Sequence, residues 1–89
     1  MVYKVLVVDD SVFMRKLVSD LIESDANFQV IDTARNGNDA IKKARLYKPD
    51  VITLDIEMPV MNGLEALYHI MNDFPRPVIM LSAYSQKEA

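Results

Sequence analysis

The chain contains no cysteine, which excludes disulfides and thiolate metal sites and is compatible with a reducing, cytoplasmic setting. No apolar run is long enough to span a bilayer, so no membrane partner is expected. The N-terminal stretch MVYKVLVVDD ends in acids rather than in a small-residue cleavage site, and it does not read as a signal peptide. Positive charge is scarce as well. Ten Lys and Arg stand against thirteen Asp and Glu for a net charge of −3, and no basic cluster occurs, so direct binding to nucleic acid is not expected.

What is present is the composition of an ordinary soluble domain, 51% hydrophobic and 26% charged over 89 residues, enough for one small core. Apolar runs of four or five residues recur with helix-period segments between them, the pattern of βα units around a parallel sheet. VLVV (Val5 to Val8), VITL (Val51 to Leu54) and VIML (Val78 to Leu81) are continuously apolar, as strands covered on both faces should be. FQVIDTA (Phe28 to Ala34) alternates and carries Gln29 and Asp32, which predicts a wetter strand at an edge. A helix is predicted over Val12 to Glu23, capped by Asp10 or Ser11, with Phe13, Met14, Leu17, Val18, Leu21 and Ile22 as its apolar stripe. A second follows Asn36-Gly37 with Ala40, Ile41, Ala44 and Tyr47 inward and Lys42, Lys43 and Arg45 in solvent, and Pro49 closes that unit. The third starts after MPVMNG, buries Leu64, Leu67, Tyr68 and Met71, and stops before FPRP. Ser85 is placed to cap a further helix. The fold class is therefore α/β, a doubly wound parallel sheet with right-handed crossovers.

Open parallel sheets bind ligands beyond the carboxyl ends of their strands, where the strand order reverses. Asp9 and Asp10 end the first strand and Asp55 ends the third. If those strands are neighbours, three carboxylates meet, and each pair about 5 Å apart repels by about 3 kcal/mol at an effective dielectric near 20. Such a cluster calls for a cation. Its hard oxygen donors point to Mg²⁺ rather than zinc. A carboxylate beside that ion can act as a nucleophile toward a phosphoryl donor, and the hydroxyl of Ser82, followed by small Ala83, can hydrogen-bond a phosphoryl oxygen.

VLVVDDS, PDVITLDIEMPVMNG and PVIMLSA together resemble the receiver domain of bacterial two-component response regulators, three motifs in register over nearly the whole chain. HIMNDFPRPVIMLSAYS resembles more particularly the regulatory domain of chemotaxis protein-glutamate methylesterases, although a DDSVFMRK start also occurs in single-domain chemotaxis receivers. The resemblance implies a flavodoxin-like fold with strand order 2-1-3-4-5. It also implies that Asp55 is the phosphoacceptor served by a histidine kinase, that Asp10, Asp55 and the Glu57 backbone carbonyl hold Mg²⁺ with Asp9 acting through water, and that Ser82 is the switch hydroxyl. Any methylesterase activity would lie in a C-terminal effector domain.

Each of these residues has a plainer reading. Asp10-Ser11 can cap a helix, Asp55 and Ser82 can be turn residues, and His69, the single histidine, is expected to be a partly exposed helix residue. Met14, Met71 and Met80 fit buried stripes, while Met58 and Met61 are expected to line the site. A phosphatase of the haloacid-dehalogenase type would share an aspartyl phosphate and Mg²⁺. It requires two aspartates separated by one residue after the first strand, whereas these are adjacent. A structural fragment without phosphorelay activity is the non-enzymatic alternative. The family pattern carries a fifth βα unit with a lysine at its strand end, so residues 1–89 are expected to form a partial receiver domain. Its fourth strand would be a bare edge, and the chain is expected to form a homo-oligomer.

Overall fold

A computed structural model describes residues 1–81; the expectations placed on Ser82, Ala83 and Ser85 lie outside the described residues. Four strands, β1 (Tyr3–Val8), β2 (Phe28–Ala34), β3 (Val51–Asp55) and β4 (Val78–Leu81), alternate with α1 (Val12–Glu23), α2 (Gly37–Tyr47) and α3 (Gly63–Asp73). All pairings are parallel and the sheet order is β2-β1-β3-β4. The chain steps one way from β1 to β2, then returns past β1 to β3 and β4. The order thus reverses between β1 and β3, beyond whose carboxyl ends such sheets bind ligands.

β1 and β3 are the central strands expected from their apolar runs. Leu6, Val8, Ile52 and Leu54 enter one core with Ala34, Ala40, Ala44, Met58, Ala66 and Ile70, while Val5 and Val7 are equally buried on the opposite side of β1. That opposite side holds an apolar cleft of about 240 Å³ whose walls include Val5, Leu21, Phe28, Val51 and Ile79. β4 departs from its apolar sequence. Its burial alternates, and Ile79 is 54% exposed, because β3 is its only neighbour among the described residues.

Each helix begins on a side-chain cap. Ser11 Oγ accepts from the Met14 N–H at 3.2 Å, and Asn36 Oδ1 accepts from Asp39 at 2.8 Å. Asn62 and Glu65 form a reciprocal capping box. α2 closes at Lys48 in the left-handed region (φ 50), just ahead of buried Pro49.

The inward faces of the helices differ from those expected. On α1 the stripe splits: Met14, Val18 and Ile22 are half-buried, whereas Phe13, Leu17 and Leu21 are exposed. On α3, Leu64, Tyr68 and Met71 point outward and Ala66 and Ile70 are buried, with Leu67 packed at the margin. Tyr47 on α2 is also exposed. Small residues sit where α2 and α3 approach each other and the sheet, because close helix packing selects for volume as well as hydropathy. Lys43 is not in solvent as expected: its Nζ donates to the Thr33 carbonyl at 2.7 Å and lies 3.2 Å from Asp32 and 3.5 Å from Asp39. A register shift between Val5 and Leu6, which pair with Val30 and Asp32 respectively, gives β2 one extra residue and turns Asp32 toward α2.

Candidate functional site

Asp9 follows directly on β1. Its N–H donates to the Ala34 carbonyl at 3.0 Å, and its Oδ1 accepts from the Ser11 N–H at 2.9 Å, so both backbone and carboxylate are held. Asp10, next along the chain, is exposed. Asp55 is the last residue of β3, and its Oδ1 accepts from the Glu57 N–H at 3.2 Å. Because β1 pairs with β3 through Val8 and Leu54, the residues that follow these two stand side by side. One carboxylate oxygen from each of Asp9, Asp10 and Asp55 lies within 4.8 Å of the others. The three predicted acids are thus brought together, with Asp9 and Asp55 each only 8% exposed.

Burial governs the electrostatics. Desolvation pushes the Asp9 carboxyl above its ordinary value; the Ser11 N–H bond and the Arg15 charge oppose that shift and the Asp10 charge adds to it. Desolvation likewise pushes Asp55 up, opposed by the Glu57 N–H bond and reinforced by the charges of Asp9, Asp10 and Glu57. Both buried acids are therefore harder to ionise than free carboxyls. The donor set fits a small hard divalent cation. It consists of oxygen only, one member is open to solvent, and Asp9 and Asp55 each have one oxygen that accepts from a backbone N–H, the other accepting from no N–H among the described residues.

The sequence reading missed two contributors and misplaced a third. Arg15, one turn into α1, donates from Nη1 to the Asp9 carbonyl at 2.9 Å, tying the helix to the strand end; its place four residues after the cap Ser11 was the available signal. Gly63 was read only as the residue before the third helix. In fact its N–H donates to the Ile56 carbonyl at 2.9 Å, and a Cβ there would collide with the Asp55 carbonyl oxygen and lie 2.8 Å from Ile56 Cα. Only glycine lets α3 start this close behind Asp55. Met58 does not line the site but belongs to the core. Met61 packs at the core margin, against the face of Gly37, where a Cβ would come within 2.7 Å of Met61 Cγ. Glu57 is exposed two residues beyond Asp55, and His69 is exposed on α3 beside Tyr68.

Residues 5–89 match the family described as the response regulator receiver domain. The chain is 52% identical over 86 residues to a protein-glutamate methylesterase/protein-glutamine glutaminase of Halalkalibacterium halodurans, covering 97% of this chain and 25% of that protein. It is 56% identical over 84 residues to the protein of the same description in Bacillus subtilis, covering 94% and 24% respectively. The response regulator domain of Thermotoga maritima CheB superposes with a TM-score of 0.92 at 49% identity, over 100% of this chain and 66% of that one. The CheX-CheY-BeF3-Mg²⁺ complex from Borrelia burgdorferi gives a TM-score of 0.85 at 40% identity, over 96% and 66%. The chain spans about a quarter of the length of these curated relatives.

Proposed function

The chain belongs to the response regulator receiver domain family, and from that premise we propose that Asp55 accepts a phosphoryl group from the phosphohistidine of a histidine kinase in chemotaxis signalling. The observation that carries this reading is the meeting of Asp9, Asp10 and Asp55 within 4.8 Å at the point where the strand order reverses. Asp55 Oδ1 is held by the Glu57 N–H, which leaves Oδ2 as the nucleophile. An O–P bond forms there as the P–N bond of the donor breaks, and the imidazole leaves with the electron pair.

Asp10, Asp55 and the Glu57 carbonyl would hold Mg²⁺, with Asp9 acting through water. Bound there, the ion supplies positive charge that offsets the three carboxylates and steadies the transferring group. Arg15 and the Ser11 N–H fix Asp9, and Gly63 keeps the segment behind Asp55 in place. Ser82 acts as the switch hydroxyl, turning toward the phosphoryl group and moving the loop that follows. The output lies in a C-terminal effector domain of the protein-glutamate methylesterase type, by analogy with the relatives, and the protein works in the cytoplasm. Support for Mg²⁺ comes from the all-oxygen donor set and from the Mg²⁺ and BeF3 in the similar Borrelia complex.

Incubation with phosphoramidate and Mg²⁺, read by intact mass, tests the assignment. One phosphoryl group should add to the wild type and none to Asp55→Asn, and chelation of Mg²⁺ should abolish the reaction. Equal labelling of Asp55→Asn, or labelling indifferent to chelation, would overturn it.

A further inference from the structure

The carboxylates of Asp9 and Asp55 are each held by a backbone N–H, from Ser11 and Glu57 respectively. Asp10 is the exposed member of the trio, and its carboxylate accepts from no N–H or O–H among the described residues. Its place within 4.8 Å of the other two therefore depends on the backbone that carries it.

Asp10 lies between two peptide planes, each of them rigid. The plane after it includes the Ser11 N–H, which donates to Asp9 Oδ1 at 2.9 Å. The plane before it includes the Asp9 carbonyl. The ladder to β2 ends with the Asp9 N–H on the Ala34 carbonyl at 3.0 Å, and no backbone N–H reaches the Asp9 carbonyl among the described residues. What holds that carbonyl is Arg15 Nη1, at 2.9 Å, a charge-assisted bond. The Arg15 N–H in turn donates to the Ser11 carbonyl at 2.9 Å, so the clamp is rooted in the first full turn of α1. One side chain thus ties the helix to the peptide ahead of Asp10.

We propose that Arg15 is a positioning residue for Mg²⁺: by clamping the Asp9 carbonyl it fixes the Asp9–Asp10 peptide and so aims the Asp10 carboxylate at the ion. The inference rests on the reading of Asp9, Asp10 and Asp55 as a Mg²⁺ site. The sign of the effect separates positioning from plain electrostatics. A guanidinium repels a divalent cation, and the Arg15 charge acts on Asp9. Were Arg15 only a nearby charge, its removal would tighten Mg²⁺ binding. As a positioning residue, its removal loosens binding, on the scale of about tenfold that the partners of metal ligands command.

Mg²⁺ alone, titrated into the isotopically labelled chain and followed by amide chemical shifts below the melting midpoint of each variant, provides the test. Arg15→Met removes the guanidinium with a side chain that suits a helix, and should bind Mg²⁺ about tenfold more weakly than the wild type. Arg35→Met is the control. Arg35 lines the same cleft as Arg15, together with Thr33, Asp39 and Lys43, but it is exposed and makes no hydrogen bond among the described residues, so its loss should not weaken binding. Without Mg²⁺, ¹⁵N relaxation should show the Asp10 amide looser in Arg15→Met than in the wild type, a change that a general loss of stability would not confine to this peptide. Unchanged or tighter Mg²⁺ binding in Arg15→Met would overturn the proposal, as would equal weakening in Arg35→Met or an Asp10 amide indifferent to the substitution. Those outcomes leave the metal site standing, whereas a wild type without Mg²⁺-dependent shifts would overturn the site and this inference with it.

Discussion

Val60 is a β-branched residue at φ 69, 89% exposed, spanned by a hydrogen bond from the Met61 N–H to the Pro59 carbonyl at 2.7 Å. This is the positive-φ γ-turn, the strained kind, and it stores strain in the loop between Asp55 and α3. Val60→Gly should remove that strain at the cost of some unfolded-chain entropy, for a net stabilisation of up to about 1 kcal/mol. A urea midpoint that rises with unchanged slope is the expected result; a lower midpoint would count against the strain. Gly63 has the opposite sensitivity. Gly63→Ala forces a methyl into the Asp55 carbonyl, so Mg²⁺ affinity measured by calorimetry should drop even where the fold survives. The buried acids also set a pH dependence. Asp9 and Asp55 have folded pKa values above the ordinary 3.8, so the native state binds more protons than the unfolded chain between that value and the raised ones. Without Mg²⁺, their contribution to stability should therefore fall as pH rises through this window and level off above it. The melting midpoint of Asp55→Asn should show a shallower fall than wild type over the same range.

At the scale of elements, α3 offers the clearest test of which face is inside. Leu64, Tyr68 and Met71 form the stronger apolar row, yet Ala66 and Ile70 are the buried residues. Ile70→Ala should cost about 2–5 kcal/mol as a core truncation, and Tyr68→Ala should stay within about 0.5 kcal/mol as a surface change. Equal losses in chemical denaturation would contradict the observed orientation. α3 also depends on its capping box, and Asn62→Ala should cost about 1 kcal/mol. The α2–α3 contact is reinforced on its outer side by Arg45, which pairs with Asp73 at 2.6 Å and lies 5.4 Å from the Phe74 ring centroid. That pair is well exposed, so its contribution is small.

For the molecule as a whole, the sheet has unequal edges. The β2 edge has a backbone donor occupied, since Glu23 accepts the Val30 N–H at 2.9 Å. The β4 edge has no further strand among the described residues and presents exposed Ile79 and Leu81. An apolar edge of this kind is a template for pairing with a second chain. Light scattering on the 89-residue chain should therefore give a mass above the monomer, and Ile79→Lys should return it to the monomer. A monomeric wild type with a cooperative melt would defeat that expectation.

Local chemistry made much of this protein legible in its sequence. Unbroken apolar runs marked β1 and β3 because buried parallel strands need both faces apolar. Ser11 marked the start of α1 because orphan N–H groups need acceptors, and the acids at the strand ends marked the candidate site. Tertiary structure decided what depends on residues distant in the chain. β1 and β3 had to be neighbours for Asp9, Asp10 and Asp55 to meet. The extra residue in β2 had to turn Asp32 toward Lys43, converting an expected solvated lysine into one wall of a polar cleft. Close approach of α2, α3 and the sheet put Ala66 and Ile70 inside in place of the bulkier apolar row, since periodicity counts hydropathy whereas packing also counts volume.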